Sequence, residues 1–209
     1  MGAALAGCSA GTLSPMDAGM RVYLDRLYAE GRAFDAQRPD RHEQRRNIEP
    51  ASGALLADLI RLRRAQRVLE IGTSNGYSTL WLAHALAATG GELLSVDVDE
   101  PRSAEAADHL RATGLAGQVT LVLRDAADVL REEAGTFDLI LVDAERPAYP
   151  DYLPDLRRLV DPAGGALVVD NVVSHAAEVE DFLAMAFEVP EWHAQVLKVG
   201  AGLLLAVHR

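Results

Sequence analysis

Five carboxylates stand where alternating strands and helices would present them along one edge. Glu70, Asp97, Asp125, Asp143 and Asp170 each stand at the end of a short, largely apolar run or within two residues of it. Acids at the carboxyl ends of parallel strands face the crevice in which open α/β sheets bind ligands. The first lies in Glu70-Ile71-Gly72-Thr73-Ser74-Asn75-Gly76. Its glycines let backbone come close to a ligand, and the helix start behind them offers free N–H groups to a carboxylate. The spacing is Gly-x-x-x-Gly rather than the Gly-x-Gly-x-x-Gly of dinucleotide sites, which counts against a nicotinamide oxidoreductase. A glycine pair at a tight strand–helix turn also has a purely structural reading. Asp97 can accept hydrogen bonds from both hydroxyls of a ribose. Asp99 competes for that role, and Asp97 is preferred because it follows the apolar run directly. Asp125, in Arg124-Asp125-Ala126, is placed to receive an adenine amino group. Three such features at three successive strand tips point to a nucleoside.

The fourth and fifth tips carry different chemistry. Leu141-Val142-Asp143-Ala144-Glu145-Arg146 and Val168-Val169-Asp170-Asn171 bring two carboxylates and an amide oxygen to adjacent positions. Such a set suits a hard, oxygen-seeking divalent cation completed by water. No Cys or His pair offers a zinc cage. The alternative for Asp170-Asn171 is a helix cap, a common use of Asp and Asn after a strand.

Elements that could hold these residues follow from periodicity. Apolar residues from Met16 to Tyr28 recur at helical spacing, and Gly31 predicts a break. Residues 34–46 read as a loop or exposed helix, and Pro50 opens a helix striped by Leu55, Leu56, Leu59, Ile60 and Leu62. Strands are predicted at 68–71, 93–97, 119–123, 137–142 and 166–169. Helices are predicted near 76–88, 101–112, up to 131, 149–160 and 176–187. Strands at 195–199 and 203–207 close the chain around Gly200-Ala201-Gly202, read as a tight hairpin. The expected fold is α/β and doubly wound. A mostly parallel seven-stranded sheet carries helices on both faces and an antiparallel C-terminal edge hairpin. Residues 1–14 read as a loose tail, 15–66 as an N-terminal helical arm covering cofactor and substrate, and 67–209 as the catalytic core.

Composition narrows the partners. A net charge of -11 disfavours nucleic acid. The basic runs Arg41–Arg46 and Arg61–Arg67 read as solvated helix faces. No apolar block approaches the roughly 18 residues of a membrane helix. One cysteine, Cys8, excludes an internal disulfide and fits a reducing cytoplasm. Leu5-Ala6-Gly7-Cys8 has the look of a lipoprotein cleavage box, but Met1 to Gly7 supplies neither a basic start nor an apolar stretch.

The run Val68-Leu69-Glu70-Ile71-Gly72-Thr73-Ser74-Asn75-Gly76-Tyr77-Ser78-Thr79 resembles the signature of the catechol and caffeoyl-CoA O-methyltransferases, within the class I, Rossmann-like methyltransferases. The resemblance extends from about residue 47 to the end. It places Asn47-Ile48-Glu49-Pro50 at a cofactor-covering segment. It implies S-adenosyl-L-methionine held by Ile48, Glu70, Gly72, Thr73, Ser74, Gly76, Ser78, Asp97, Val98, Asp125, Ala126 and Asp143. Ser78 would meet the methionine carboxylate. A magnesium-type ion on Asp143, Asp170 and Asn171 would bind two adjacent oxygens of a small substrate, and the family suggests a homodimer. The catalytic pair would be Asp143 and Arg146. Arg146 departs from the family, which carries a lysine base there, and a guanidinium cannot take a proton. His175 and His42 are alternative bases. Tyr149, Tyr152, Trp192 and the segment near Asn47 are candidates to shape the pocket. Two other readings stay open: a methyltransferase for tRNA hydroxyuridine, and a binding module that transfers nothing.

Overall fold

The computed structural model describes residues 16–209, so the tail and the Cys8 box lie outside the described residues. The strands are β1 (Arg67–Ile71), β2 (Glu92–Asp97), β3 (Val119–Leu123), β4 (Leu139–Val142), β5 (Ala166–Val169), β6 (Trp192–Leu197) and β7 (Leu203–His208). They form one sheet in the order β3-β2-β1-β4-β5-β7-β6. The first five pair in parallel, and β7 runs antiparallel to both β5 and β6. Unbroken apolar runs make β4 and β5 because both faces of a central parallel strand are covered. Parallel neighbours need long crossovers, which the helices supply.

Those helices are α1 (Ala18–Asp35), α2 (Pro50–Arg63), α3 (Tyr77–Thr89), α4 (Glu100–Thr113), α5 (Ala126–Glu132), α6 (Tyr149–Leu159) and α7 (Glu180–Phe187). Side chains alternate across a strand, so each strand feeds two cores. Val68, Leu141 and Val168 pack with Leu24 of α1, Leu56 of α2, Leu80 of α3 and Leu110 of α4. Leu69, Ile140 and Val169 pack with Leu130 of α5, Leu156 of α6 and Phe182 of α7. No helix of the described residues is long and apolar enough to cross a membrane.

Register matters most for the site. Ile71 lies opposite Val96 and Val142, and Val142 lies opposite Val169. The central strands therefore end level. The order turns back between β1 and β4, which is where such sheets open a ligand crevice.

Several boundaries differ from the sequence expectation. Helix α1 continues through Gly31 to Asp35, because Gly31 makes room rather than a break: a Cβ there would stand 2.5 Å from Asn47 Nδ2. Phe137 forms only an isolated bridge to Val160, and β4 starts at Leu139. The 176–187 helix divides into a 3-10 turn at Ala176–Glu178 and α7. The closing hairpin is not tight. Its loop docks on the turn after β5, where Val172 N and Ser174 N donate to Gly202 O (3.0 Å) and Ala201 O (2.9 Å). Arg61–Arg67 is largely solvated as expected, with Arg63 and Arg64 exposed, and it adds ion pairs from Arg63 to Asp161 (2.6 Å) and from Arg67 to Glu133 (3.2 Å).

Helices α2 and α3 approach closely at one point. Trp81 is buried, and a Cβ on Gly53 would fall 2.7 Å from its ring atoms. Gly53→Ala should therefore cost about 1–3 kcal/mol through overpacking, read as a lower melting temperature. A gain in stability would show instead that α2 shifts freely on Trp81.

Candidate active site

A cavity of about 560 Å3 opens over the carboxyl ends of β1, β2 and β4, within the roughly 300–1,000 Å3 of small-molecule sites. Gly72, Thr73, Ser74 and Ser78 line it after β1, Asp97 and Val98 after β2, Asp125 and Ala126 after β3, and Asp143, Arg146 and Asn171 after β4 and β5. Ile48 closes it from the segment before α2. Glu70, Gly76 and Asp170 stand behind this wall.

The glycine turn serves the protein's own backbone. Gly72 has φ +105°, and a Cβ there would lie 2.1 Å from the Asp143 carbonyl oxygen. Gly76 has φ +84° and leaves no room for a Cβ beside Ala106 of α4, 2.8 Å away. Any other residue at either position is both strained and blocked. The structural reading of the pair therefore holds: Gly72 lets the turn lie against the end of β4, and Gly76 lets it lie against α4.

Asp97 is the hub of the nucleoside end. Its Oδ2 accepts from Ser74 N (2.7 Å), and its Oδ1 accepts from Val98 N (2.7 Å) and Asp99 N (2.9 Å). Asp99 is instead the N-cap of α4, accepting from Arg102 N at 2.9 Å and pairing with the Arg102 guanidinium at 3.3 Å. Asp125 both lines the cavity and caps α5 through Ala127 N (2.8 Å).

Behind the turn, Glu70 is fully buried. Its Oε2 accepts from Thr79 Oγ1 (2.7 Å) and Ser95 Oγ (2.6 Å), while Oε1 has no partner. Burial pushes its carboxyl up to about 7, against the lowering effect of the neighbouring hydroxyls. The folded value lies above the unfolded one. This group therefore supports folding fully at low pH, and that support is lost as pH rises through about 7. Glu70→Gln should abolish that dependence and leave the variant more stable than the parent at pH 8.5, by about 3 kcal/mol at most. Equal melting temperatures at pH 8.5 would contradict the burial argument.

Asp143 and Asn171 line the cavity, and Asp170 meets them from behind it. Asn171, at φ +66°, lies 3.1 Å through Nδ2 from Asp143 Oδ1 and 3.3 Å from Asp170 Oδ2. A half-turn of the amide would present Oδ1 there instead. Asp170 is buried, and its Oδ1 has no partner. No helix of the described residues begins on any of the three, so the capping alternative fails. Burial raises both carboxyls; Arg46 and Arg146 pull Asp143 back, while Asp143 raises Asp170 further. Two crowded carboxylates with an unmet oxygen and an adjacent amide fit a hard divalent cation.

The basic run Arg41–Arg46 is no solvated helix face. Arg41, Arg45 and Arg46 line the cavity, and the run is tied to the rest of the fold at several points. Arg45 bonds Glu105 (2.8 Å), Arg46 bonds Glu145 (2.6 Å), and Ser74 Oγ donates to Arg45 O (3.1 Å). Arg102 donates to the His42 carbonyl. The amides of Arg45 and Arg46 donate to the Asp35 carboxylate at 2.7 and 3.0 Å. Sequence reading missed Arg41, Arg45 and Arg46 as cavity residues. The only local signal was their closeness to Asn47-Ile48.

Arg146 is 5% exposed, and its Nη1 donates to Glu178 Oε2 at 3.0 Å. His175 does reach the cavity, with Nε2 2.9 Å from Arg41 Nη2 and Nδ1 2.8 Å from Ser174 Oγ. Burial, Arg146 and Arg41 push its pKa down, so the ring is neutral near pH 7. Of the aromatic candidates only Tyr152 lines the cavity. Trp192 is buried in the core, and the Tyr149 hydroxyl is spent on Ala144 N and O, both at 2.9 Å.

Comparison with known proteins agrees with this geometry. Residues 20–199 match the family described as O-methyltransferase. A catechol O-methyltransferase of Niastella koreensis is 37% identical over 131 residues, which cover 61% of this chain and 58% of that protein. The match thus spans less than two thirds of that relative's length. The O-methyltransferase TomG of Streptomyces achromogenes, involved in tomaymycin synthesis and solved with S-adenosylmethionine, superposes with a TM-score of 0.76 at 31% identity. That comparison covers 94% of this chain and 92% of TomG. A Bacillus cereus O-methyltransferase solved with S-adenosylhomocysteine gives 0.74 at 26% identity, over 94% and 93% of the two chains. The chain belongs to the O-methyltransferase family, within the class I S-adenosylmethionine-dependent methyltransferases.

Proposed function

We propose that this protein transfers the methyl group of S-adenosylmethionine to one hydroxyl of a small acceptor with two adjacent oxygens, assisted by a divalent cation. The observation that carries the reading is the meeting of Asp143 and Asn171, which line the cavity, with Asp170 directly behind them, in a cavity that Asp97 also lines.

Each residue has a distinct task in this reading. Asp97 accepts from the ribose hydroxyls, and Asp125 from the adenine amino group. Ser78 and the first N–H groups of α3 receive the methionine carboxylate. Ile48 and the Arg45–Arg46 strap cover the nucleoside and exclude water. Asp143, Asp170 and Asn171 would hold the cation, which when bound supplies Lewis acidity that lowers the acceptor hydroxyl's pKa. The acceptor oxygen then attacks the methyl carbon in line with the sulfur. The C–S bond breaks with its electron pair going to sulfur, S-adenosylhomocysteine is left, and the hydroxyl proton passes to water. Positioning provides most of the acceleration in such a displacement. Arg146 cannot serve as the base, and lysine is no substitute, because the chain's one lysine, Lys198, does not line the cavity.

The tRNA reading is the less favoured one, because the net charge is -11 and Arg41, Arg45 and Arg46 each face a carboxylate, of Glu178, Glu105 and Glu145. The proposal includes a homodimer, which rests on the family resemblance, and a cytoplasmic setting, which rests on cysteine usage. Thermal denaturation with candidate cofactors tests the cofactor half. S-adenosylhomocysteine should raise the melting temperature and NADH should leave it unchanged; the reverse would overturn the proposal.

A further inference from the structure

A buried guanidinium with unmade hydrogen bonds is costly unless a ligand completes it. Arg146 is in that position. It is 5% exposed, its recorded bond runs from Nη1 to Glu178, and its Nε is buried with no partner. It lines the cavity three residues after Asp143, on the acceptor side of the nucleoside end. Arg41 and Arg46 line the same region. Glu178 is shared between Arg146 (3.0 Å) and Arg41 (3.5 Å), so one carboxylate answers two guanidinium groups. Glu178 and Glu145 are well exposed, which weakens their hold on the three arginines.

We propose that Arg146, supported by Arg41, is an anion site that selects acceptors carrying a carboxylate in addition to the adjacent oxygens. The inference rests on the methyl-transfer reading for the location of the acceptor. A guanidinium makes short, charge-assisted N–H bonds to a carboxylate, and with Nη1 on Glu178 and Nε sealed in the protein, Nη2 is the nitrogen that Arg146 leaves for the cavity. A neutral acceptor would leave Nη2 without an anionic partner, and sites with polar groups left unpaired discriminate strongly against ligands that cannot satisfy them. The residue that replaces the family's lysine thus exchanges proton transfer for substrate selection. The methionine carboxylate is the competing anion. In the methyl-transfer reading Ser78 and the start of α3 receive it, so Arg146 remains for the acceptor.

The test uses 3,4-dihydroxybenzoate and its methyl ester. The ester has the more acidic hydroxyls, so a preference for the acid cannot arise from hydroxyl acidity. Calorimetry on the full chain, saturated with S-adenosylhomocysteine in magnesium buffer, should show the acid binding about tenfold more tightly than the ester, roughly the worth of one charge-assisted bond. Arg146→Gln should bring the two within about twofold, and Arg146→Lys, which keeps the charge but not the fork, should fall between. Arg41→Gln should weaken the preference in part. Circular dichroism and melting temperature establish that each variant is folded. Equal binding of acid and ester by the parent overturns the proposal. So does a folded Arg146→Gln variant that keeps the preference, or one whose loss lies in S-adenosylhomocysteine affinity. Methyl transfer to the same pair separates the two levels. Tight, Arg146-dependent binding of the acid without transfer sinks the methyl-transfer reading and leaves the anion site. Equal methylation of both compounds does the opposite.

Discussion

Replacing Asp143 or Asp170 by Asn should lower kcat by about 1,000-fold or more while S-adenosylhomocysteine affinity changes little. Both side chains sit with Asn171 at the β4 and β5 tips, whereas the nucleoside end is organised from β1, β2 and β3. Loss of one carboxylate therefore damages the cation's donor set and not the ribose contacts. Chelation by EDTA should reproduce the effect in the parent, and added magnesium should reverse it only there. The measurement is initial-rate methyl transfer with and without EDTA, with calorimetric titration of S-adenosylhomocysteine alongside. Undiminished transfer in EDTA would falsify the cation site and leave the Asp143–Asn171–Asp170 cluster purely structural.

Asp97→Ala should weaken S-adenosylhomocysteine binding by about 100-fold, the worth of two hydrogen bonds from ribose to a charged acceptor. A second effect runs in the same direction. Asp97 also holds Ser74 N, and Ser74 Oγ in turn holds the carbonyl of Arg45 in the covering strap. At a ligand concentration of 100 times the parent Kd, the parent gains about 2.7 kcal/mol of stability and the variant should gain only a few tenths. Asp97→Asn keeps an acceptor oxygen and should be intermediate. A full ligand-induced shift in Asp97→Ala would move the ribose assignment to Asp99, despite that residue's use as the α4 cap.

The sheet was legible because its central strands are short apolar runs separated by amphipathic helices, and burial on both faces forces that pattern. The strand-tip acids followed from the topology. What escaped has long-range causes. Arg41–Arg46 looked solvated because its acidic partners, Glu178, Glu105 and Glu145, lie 60 or more positions away. Gly31 looked like a helix break because only the folded chain brings Asn47 against it. Gly200-Ala201-Gly202 looked like a tight turn because nothing local reveals that its carbonyls receive Val172 and Ser174. Gly72 and Gly76 stand out in the sequence as room for a ligand, but the atoms they admit belong to Asp143 and Ala106. Glu70 was grouped with the cofactor contacts, whereas its carboxyl points into a buried hydroxyl cluster of Ser95 and Thr79.

The most direct test of the account is transfer of a tritiated methyl group from S-adenosylmethionine to 3,4-dihydroxybenzoate in magnesium buffer, with the product weighed by mass spectrometry. The account predicts one added methyl on one of the two adjacent oxygens, at a rate abolished by EDTA and by Asp143→Asn. Label that stays with S-adenosylmethionine across carboxylated and neutral catechols alike, in protein that still binds S-adenosylhomocysteine, would contradict it.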